Sequence, residues 1–267
     1  MTHQVDVLIP TYQRPAALAV TLATLIGQTF RDFRVLVSDQ TENGGAADSG
    51  EVHAVLRVLA AHGHDPVLLK HLPRRGLAEH RGFLLAQATA PYALFSDDDL
   101  LFEPDAVERM LTAIREEGCG FVGCAVPGYS FIEDVRPQQQ AIEFWDTRVE
   151  PERVRPNTPA WDRHKLHNAA NILHVADQLD LTPATQRKYR VAWVGGCVLY
   201  DTEKLRKCGG FDFWGDLPVE HSGEDVLAQI RVMERFGGCG IIPTRVYHQE
   251  LPTTVPNREV DAPKVLL

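Results

Sequence analysis

Short apolar runs alternate with amphipathic stretches through the first half of the chain. Runs rich in β-branched residues predict strands over residues 5–10, 33–39, 67–72 and 92–96. Helical patterns follow these runs from about residue 15, from about residue 50, over 76–88 and over 105–117. An alternation of this kind predicts a parallel sheet covered by helices.

The regular pattern fades over residues 127–190, which are rich in Pro, Gln, Arg and His, and this segment is predicted to be an insertion. Regular patterning returns with a strand predicted over 191–200, a glycine bend at Gly209 and Gly210, a helix over 224–236 and a last strand over 239–247. Residues 252–267 contain prolines and no clear pattern, so a loosely attached tail is expected.

Composition narrows the class of protein. The chain has 267 residues, of which 44% are hydrophobic, enough for one large core in a single soluble domain. A formal net charge of -9 disfavours binding of nucleic acid over a broad surface. The five cysteines form no CxxC pair, which favours a reducing cytoplasm over a disulfide framework. No secretory core or bilayer-length apolar run is present, so any membrane contact is expected to be peripheral.

Three consecutive carboxylates, Asp97, Asp98 and Asp99, follow directly on the apolar run YALF. They repel one another unless a cation or a donor-rich ligand neutralises them. A hard divalent cation, Mg²⁺ or Mn²⁺, would do so through carboxylate, water and phosphate oxygens. A solvated acidic turn at the start of the next helix is the alternative. Ligands of open α/β sheets gather beyond the carboxyl ends of the strands, where Thr11, Asp39 and this triplet fall.

Three segments of the first half, VDVLIPTYQRP, VLVSDQTENGG and LFSDDDLLFEPDAVERM, resemble in order and spacing the family 2 glycosyltransferases with the GT-A fold. The resemblance implies an α/β protein with a Rossmann-like, mostly parallel central sheet flanked by helices and a smaller acceptor-side region. It assigns residues 1–126 to nucleotide-sugar binding, 127–190 to an acceptor-side insertion, and 191–251 to the acceptor and catalytic half of the same domain.

The resemblance also implies roles for individual residues. Asp39 and the Pro-Thr pair after the first strand would hold the nucleotide base, and Asp97 the donor ribose. The metal ligands would be Asp99, with Asp97 and His248. The family commonly has an arginine or asparagine near the donor in this region, so one of Arg74, Arg75 and Arg81 would bind the diphosphate. Arg81 is named less directly, because HLPRRGLAEHRGFLLAQA departs from the family's usual segment, and a solvated charge cluster is the alternative. The implied donor-binding residues are Pro10, Thr11, Tyr12, Arg14, Asp39, Arg81, Asp97 and Asp98.

The segment WVGGCVLYDTEKLRKCGGFDFWGDLPVEHSGEDVLAQIRV is similar to the acceptor half of that family. By the family pattern Asp225 is the general base that takes the acceptor proton in an inverting displacement. Glu224 would orient the acceptor or exchange roles with Asp225; the alternative is that both acids only favour the start of their helix. The aromatic residues of this half would stack on the face of a sugar ring; the alternative is that they pack in the core. The acceptor-side candidates are Trp193, Gly195, Gly196 and Trp214, with Phe213 beside them.

The expected function is therefore metal-dependent transfer from a nucleoside-diphosphate sugar, with UDP-sugars favoured, to a sugar, lipid-linked or small-molecule acceptor. A sugar nucleotidyltransferase is the nearest enzymatic alternative, although the chain has no GxGxxG or P-loop after its first strand. A non-catalytic nucleotide-sugar-binding protein of the same fold is the other alternative.

Overall fold

The structure is a computed structural model that describes residues 3–182 and 185–267. Its first half alternates strands and helices as the sequence predicts. In chain order the elements of this half are β1 (Val5–Thr11), α1 (Pro15–Ile26), β2 (Phe33–Asp39), α2 (Gly50–Ala61), β3 (Pro66–Lys70), α3 (Leu77–Gln87), β4 (Tyr92–Ser96), β5 (Leu100–Phe102), α4 (Ala106–Glu117) and β6 (Phe121–Gly123).

Apart from α7, the second half contributes short elements. Two of them, α5 and β7, come from the predicted insertion. In chain order they are α5 (Asn171–Gln178), β7 (Arg187–Tyr189), β8 (Cys197–Asp201), α6 (Thr202–Lys207), α7 (Glu224–Phe236), β9 (Gly238–Ile242), β10 (Val246–His248) and α8 (Ala262–Leu266).

In the described part of the chain, eight strands form one central sheet in the order β3-β2-β1-β4-β8-β6-β9-β7. The first four run parallel, β8 is antiparallel to both of its neighbours, and β7 joins the edge antiparallel to β9. Strands β5 and β10 pair antiparallel in a separate small sheet. The predicted α/β architecture is confirmed.

Hydrophobic side chains fill both faces of the central sheet. Along β1, Val7 and Ile9 belong to one buried cluster and Leu8 belongs to the other. This is the alternation of a strand whose two faces are both covered, and it explains why apolar residues occupy both faces of β1. Within the described residues, no helix has the length and apolar character needed to cross a bilayer.

Two of the predicted strands are wrong in extent. The strand predicted over 191–200 begins only at Cys197, because the backbone of Val194 bonds to the Gln229 side chain and Gly196 has a φ of 79°. The strand predicted over 239–247 ends at Ile242, since Pro243 has no N–H to continue the ladder. The residues beyond it form β10 in the small sheet.

The tail also differs from the expectation of a loosely attached end. Its last helix, α8, packs against α7, and Ala262 is fully buried. Ser222 and Asp261 form a parallel β-bridge just before α7. The apolar side chains of α8 are too few to give a periodic signal, so the sequence pattern missed this contact.

Candidate active site

A cleft of about 290 Å³ opens beyond the carboxyl ends of the parallel strands, at the place the sequence predicts. The aspartate triplet and the segment after β1 lie side by side in it, because β1 and β4 are neighbours in the sheet. The predicted site residues that line the cleft are Pro10, Thr11, Tyr12, Arg14, Asp97, Asp98, Asp99 and His248.

Asp98 points into the protein. Its Oδ2 accepts a hydrogen bond from the Thr11 hydroxyl at 2.6 Å. Burial raises the pKa of Asp98 to about 6, even though the Thr11 hydrogen bond opposes the shift. Asp98 therefore ties β1 to β4 at the base of the cleft.

Asp99 is also buried, and Arg14 neutralises it. The Arg14 guanidinium donates from Nη1 to Asp99 Oδ2 at 2.6 Å and lies 3.4 Å from Asp98 Oδ1. Burial raises the pKa of Asp99, and the neighbouring His248 opposes that shift. Arg14, predicted to bind the donor, thus compensates the charge of the triplet.

His248 stands beside Asp99 with 3.5 Å between Nε2 and Asp99 Oδ2. The backbone N–H of Glu250 donates to His248 Nδ1 at 2.7 Å. A neutral ring that accepts at Nδ1 carries its proton on Nε2, whereas a histidine that binds metal through Nε2 must donate at Nδ1. The metal-binding role of His248 stays a prediction that requires this backbone hydrogen bond to break.

Arg81 joins the two acidic motifs. It is buried, and it donates from Nη2 to Asp97 Oδ1 at 2.8 Å and from Nε to Glu224 Oε1 at 3.0 Å. Burial alone would lower the pKa of Arg81, but the surrounding carboxylates raise it, so its charge is permanent. Residues 143 positions apart in the chain are thereby fixed in one charged row.

Asp225 follows Glu224 in the first turn of α7, and its Oδ1 accepts the backbone N–H of Val226 at 2.8 Å. Burial first, and then the Glu224 charge, raise the pKa of Asp225 to about 7. Burial also raises the pKa of Glu224, against the effect of Arg81. Neither acid lines the cleft itself; Glu224 is linked to it through Arg81 and Asp97, and Asp225 is the next residue in the chain.

Asp39 does not line the cleft either. Its carboxylate accepts the backbone N–H groups of Thr41 and Ala46 at 2.8 and 3.0 Å, and so shapes the loop after β2. Gly45 is required there, because a Cβ atom at this position would lie 2.5 Å from Asp39 Oδ2 and its φ is 97°. Gln40, the next residue, faces the cleft instead.

The acceptor-side candidates are dispersed. Trp193 packs between Trp161 at 4.5 Å and His164 at 4.9 Å, in contact with the insertion. Trp214 is exposed, and a Cβ atom added at Gly195 would have no other residue within 4 Å beyond its chain neighbours. Of this set, Gly196 lies nearest the triplet, since a Cβ there would be 3.5 Å from Asp97 Oδ2.

Sequence reasoning missed part of the cleft wall. Arg74, one of the three arginines considered for the diphosphate, does line the cleft, with its guanidinium 4.5 Å from the centre of the Tyr12 ring. The tail residues had no periodic signal to reveal them. The missed lining residues are Gln40, Leu77, His80, Leu251, Thr253, Thr254, Val255 and Arg258.

The donor chemistry of the triplet fits a divalent cation only in part. Across the described residues, His, Cys, Asp and Glu do not gather in threes around a point suited to a metal ion. Asp99 offers a carboxylate at the cleft, which suffices for a hard cation whose other ligands are phosphate oxygens and water. Asp97 is engaged by Arg81 instead.

Structural comparison assigns the fold. The chain is similar to S. aureus TarS 1-349 in complex with UDP-GlcNAc, with a TM-score of 0.59 and 16% identity over 96% of this chain and 60% of that one. It is also similar to the mannosyltransferase PcManGT from Pyrobaculum calidifontis in complex with GDP-Man and Mn²⁺, with a TM-score of 0.53 and 16% identity over 90% and 57% of the two chains. The architecture is thus the GT-A fold of nucleotide-sugar transferases.

The family follows from the sequence. The model of glycosyl transferase family 2 matches residues 6–173, more than half of the chain, and the chain therefore belongs to that family. The comparison with curated proteins gives no match. The chain spans 36% of the length of a longer TarS structure, which it matches with a TM-score of 0.56 and 15% identity over 93% of its own residues.

Proposed function

We propose that this protein transfers a sugar from a nucleoside-diphosphate sugar to an acceptor hydroxyl by a single displacement with inversion. One observation carries the proposal: Arg81 joins Asp97 of the triplet to Glu224 of the acidic pair. A donor at the triplet and a base on α7 would then be held by one rigid row of charges. Family membership favours this interpretation over a sugar nucleotidyltransferase.

In this mechanism the nucleotide lies along the ends of β1 and β2. Thr11 and Tyr12 contact it, and Asp39 acts by shaping the loop that borders the base. The diphosphate faces the triplet and the arginines of the cleft. UDP-sugars are our favoured donors, and the acceptor is a sugar, a lipid-linked sugar or another small hydroxyl compound.

Asp225 is the proposed general base. An acid with a pKa near 7 is partly ionised at neutral pH and is basic enough to accept a hydroxyl proton as the new bond forms. Glu224 holds Arg81 and positions Asp225. The acceptor oxygen bonds to the anomeric carbon on one face while its proton passes to Asp225, and the bond to the diphosphate breaks on the opposite face, so the configuration of that carbon is inverted.

A divalent cation, Mn²⁺ or Mg²⁺, is part of the proposal, with Asp99 as its protein ligand and His248 or Asp97 as further candidates. When bound, it supplies positive charge that stabilises the leaving diphosphate. Arg14 now neutralises Asp99, so the guanidinium has to move from Oδ2 when a cation binds there.

Calorimetric titration with UDP and with GDP, each with and without Mn²⁺, tests the donor site. We expect one of the two nucleotides to bind, and Mn²⁺ to tighten binding in the unmodified protein but not in the Asp99→Asn variant. Absence of binding by both nucleotides would overturn the donor assignment. Equal tightening by Mn²⁺ in the variant would overturn the role of Asp99 alone.

A further inference from the structure

A second opening, which we call the side groove, adjoins the cleft of the aspartate triplet and has a volume of about 430 Å³. Sites for small ligands usually have volumes of about 300–1,000 Å³, so the groove is large enough for a ligand of its own. Its walls come from the segment after β6, from the insertion and from the end of β10. The lining residues are Val126, Gly128, Ser130, Phe131, His167, Ala169, His248, Glu250 and Leu251.

The side groove meets the cleft at the triplet, on the side away from the proposed nucleotide. His248 and Leu251 line both openings. In the central sheet β1 and β2 lie on one side of β4, whereas β6, which leads into the groove, lies on the other. A Cβ atom at Gly196 would lie 3.0 Å from Val126 Cγ2 and 3.5 Å from Asp97 Oδ2. The inner end of the groove is therefore beside Asp97, the residue of the triplet that is linked to α7.

Hydrogen bonds hold a carboxylate in the wall of the side groove. The Ser130 N–H donates to Glu250 Oε2 at 3.2 Å, and the Ser130 hydroxyl donates to Glu250 Oε1. Gly128 permits this approach, because a Cβ atom there would lie 2.6 Å from Glu250 Cδ. No salt bridge to Glu250 occurs among the described residues. A carboxylate has about four acceptor positions, so Glu250 can still accept hydrogen bonds from a ligand.

The insertion supplies another wall of the side groove. His167 Nε2 lies 2.9 Å from the Tyr189 hydroxyl, a hydrogen-bond distance that ties this wall to β7. Burial lowers the pKa of His167 to about 4, so its ring is uncharged at neutral pH. Ala169 and Glu250 have positive φ values, of 49° and 62°. Residues other than glycine rarely adopt this conformation, and those that do are concentrated at binding and catalytic sites.

Phe131 gives the side groove an exposed aromatic surface. Its side chain is 45% exposed, and no other ring packs against it in the part of the chain that the structure describes. The neighbouring Tyr129 contacts Tyr247 instead, with 5.6 Å between the ring centres. The face of an aromatic ring is negative, so it packs well against the C–H groups on the face of a sugar ring.

The charge of the side groove differs from that of the cleft. Arg14 and Arg74 line the cleft, where they suit a diphosphate. Among the described residues that line the groove there is no lysine or arginine, and Glu250 is acidic. Like charges that meet at a binding surface are unfavourable. The groove therefore favours hydroxyl groups over phosphate or carboxylate groups.

We propose that the side groove binds the acceptor, and that the acceptor is an uncharged sugar whose ring stacks on Phe131 and whose hydroxyl groups donate to Glu250. This inference rests on the proposed function and adds the class and the position of the acceptor to it. The reacting hydroxyl points to the inner end of the groove, towards the anomeric carbon of the donor. Phe131, rather than Trp193 or Trp214, then provides the stacking surface.

The first test measures the acceptor KM. The probes are the methyl glycosides of glucose, galactose, mannose and N-acetylglucosamine, with UDP- and GDP-sugars as donors. For an accepted glycoside we expect Phe131→Ala to raise KM about tenfold, as for loss of one stacked ring, while the calorimetric affinity for UDP or GDP is unchanged. Phe131→Trp should keep most of the acceptor affinity. Tyr129→Ala is the matched control, because it removes an exposed ring of the same turn that does not line the groove.

The second test uses the charge of the acceptor. The uronic acid counterpart of each accepted glycoside carries a carboxylate in place of a hydroxymethyl group. We expect kcat/KM to favour the neutral glycoside at least about tenfold at low salt, because Glu250 repels the carboxylate. Glu250→Gln should reduce this preference several-fold. If the preference arose only from the missing hydroxyl group, Glu250→Gln would leave it unchanged, and the role of Glu250 would be overturned.

The outcomes separate this inference from the proposed function. If UDP or GDP binds but none of the neutral glycosides is accepted, the acceptor class is overturned while the donor site stands. If glycosides are accepted, and Phe131→Ala raises KM no more than Tyr129→Ala does, stacking in the side groove is overturned. If neither nucleotide binds the unmodified protein, both the proposed function and this inference fail.

Discussion

Replacement of Arg81 by Gln tests the charged row at the centre of the site. Arg81 and Glu224 are 4% and 3% exposed, so solvent screens their interaction little. The substitution keeps a polar side chain of similar length but removes the charge. It leaves the Glu224 carboxylate buried beside Asp225 without its nearest cation.

Removal of one partner from a buried ion pair costs about 3–5 kcal/mol, because the remaining charge stays desolvated. The size of the loss depends on pH. Arg81 lowers the pKa of Glu224, so the variant's Glu224 has a folded-state pKa still further above its ordinary value of 4.5. With Glu224 protonated, the variant folds without burying an unpaired charge; with Glu224 ionised, it has to bury that charge. The destabilisation is thus largest at pH 8 and shrinks as the pH falls through the folded-state pKa towards 5.

Urea unfolding at pH 5 and pH 8, followed by fluorescence of the four tryptophans, measures this loss. The Arg81→Gln, Glu224→Gln double variant should recover most of the stability at pH 8, because no buried charge is then left unpaired. Arg57, which is exposed on α2, provides the control: Arg57→Gln should change stability by less than about 0.5 kcal/mol. A loss below about 1 kcal/mol for Arg81→Gln, or an equal loss at both pH values, would refute the reasoning.

Three further outcomes are expected. Asp225→Asn should lower the transfer rate by about 10²–10⁴-fold without lowering the unfolding midpoint, and a normal rate would remove Asp225 as the base. In the unmodified protein, kcat/KM should rise with pH and level off above an apparent pKa near 7, as Asp225 loses its proton; a profile flat between pH 5 and 8 would contradict this. Gly45→Ala should weaken nucleotide binding about tenfold more than Gly44→Ala, since both glycines have positive φ but only Gly45 lies against Asp39; equal effects in calorimetry would remove the role of that loop.

The sequence predicted the first half of the fold well because β1 to β4 are short runs rich in apolar residues that alternate with helical patterns. The position of the triplet at the end of β4 followed from the same pattern. The second half was harder. The apolar run around Pro243 is split between two strands that belong to different sheets. The backbone of Val194 bonds to the side chain of Gln229 instead of to a neighbouring strand. Both features depend on contacts between residues that are distant in sequence.

The site shows the same limit. The motifs singled out Asp97 and Glu224, but not the contact through Arg81 that joins these two acids, because they are distant from one another in sequence. Asp39 was predicted to hold the base, whereas its carboxylate accepts hydrogen bonds from backbone N–H groups of its own loop. Arg258 lies in a segment without periodicity, so the sequence pattern does not place it at the cleft.

Sugar transfer by single displacement is the central claim, and proton NMR of the reaction product tests it most directly. The protein is incubated with UDP- and GDP-sugars, Mn²⁺ and a panel of hydroxyl acceptors, and the anomeric coupling of the product is read before it can equilibrate. The account predicts release of the nucleoside diphosphate and a β-linked product from an α-linked donor, with both lost in Asp225→Asn. An α-linked product, or turnover that is independent of Asp225, would contradict it.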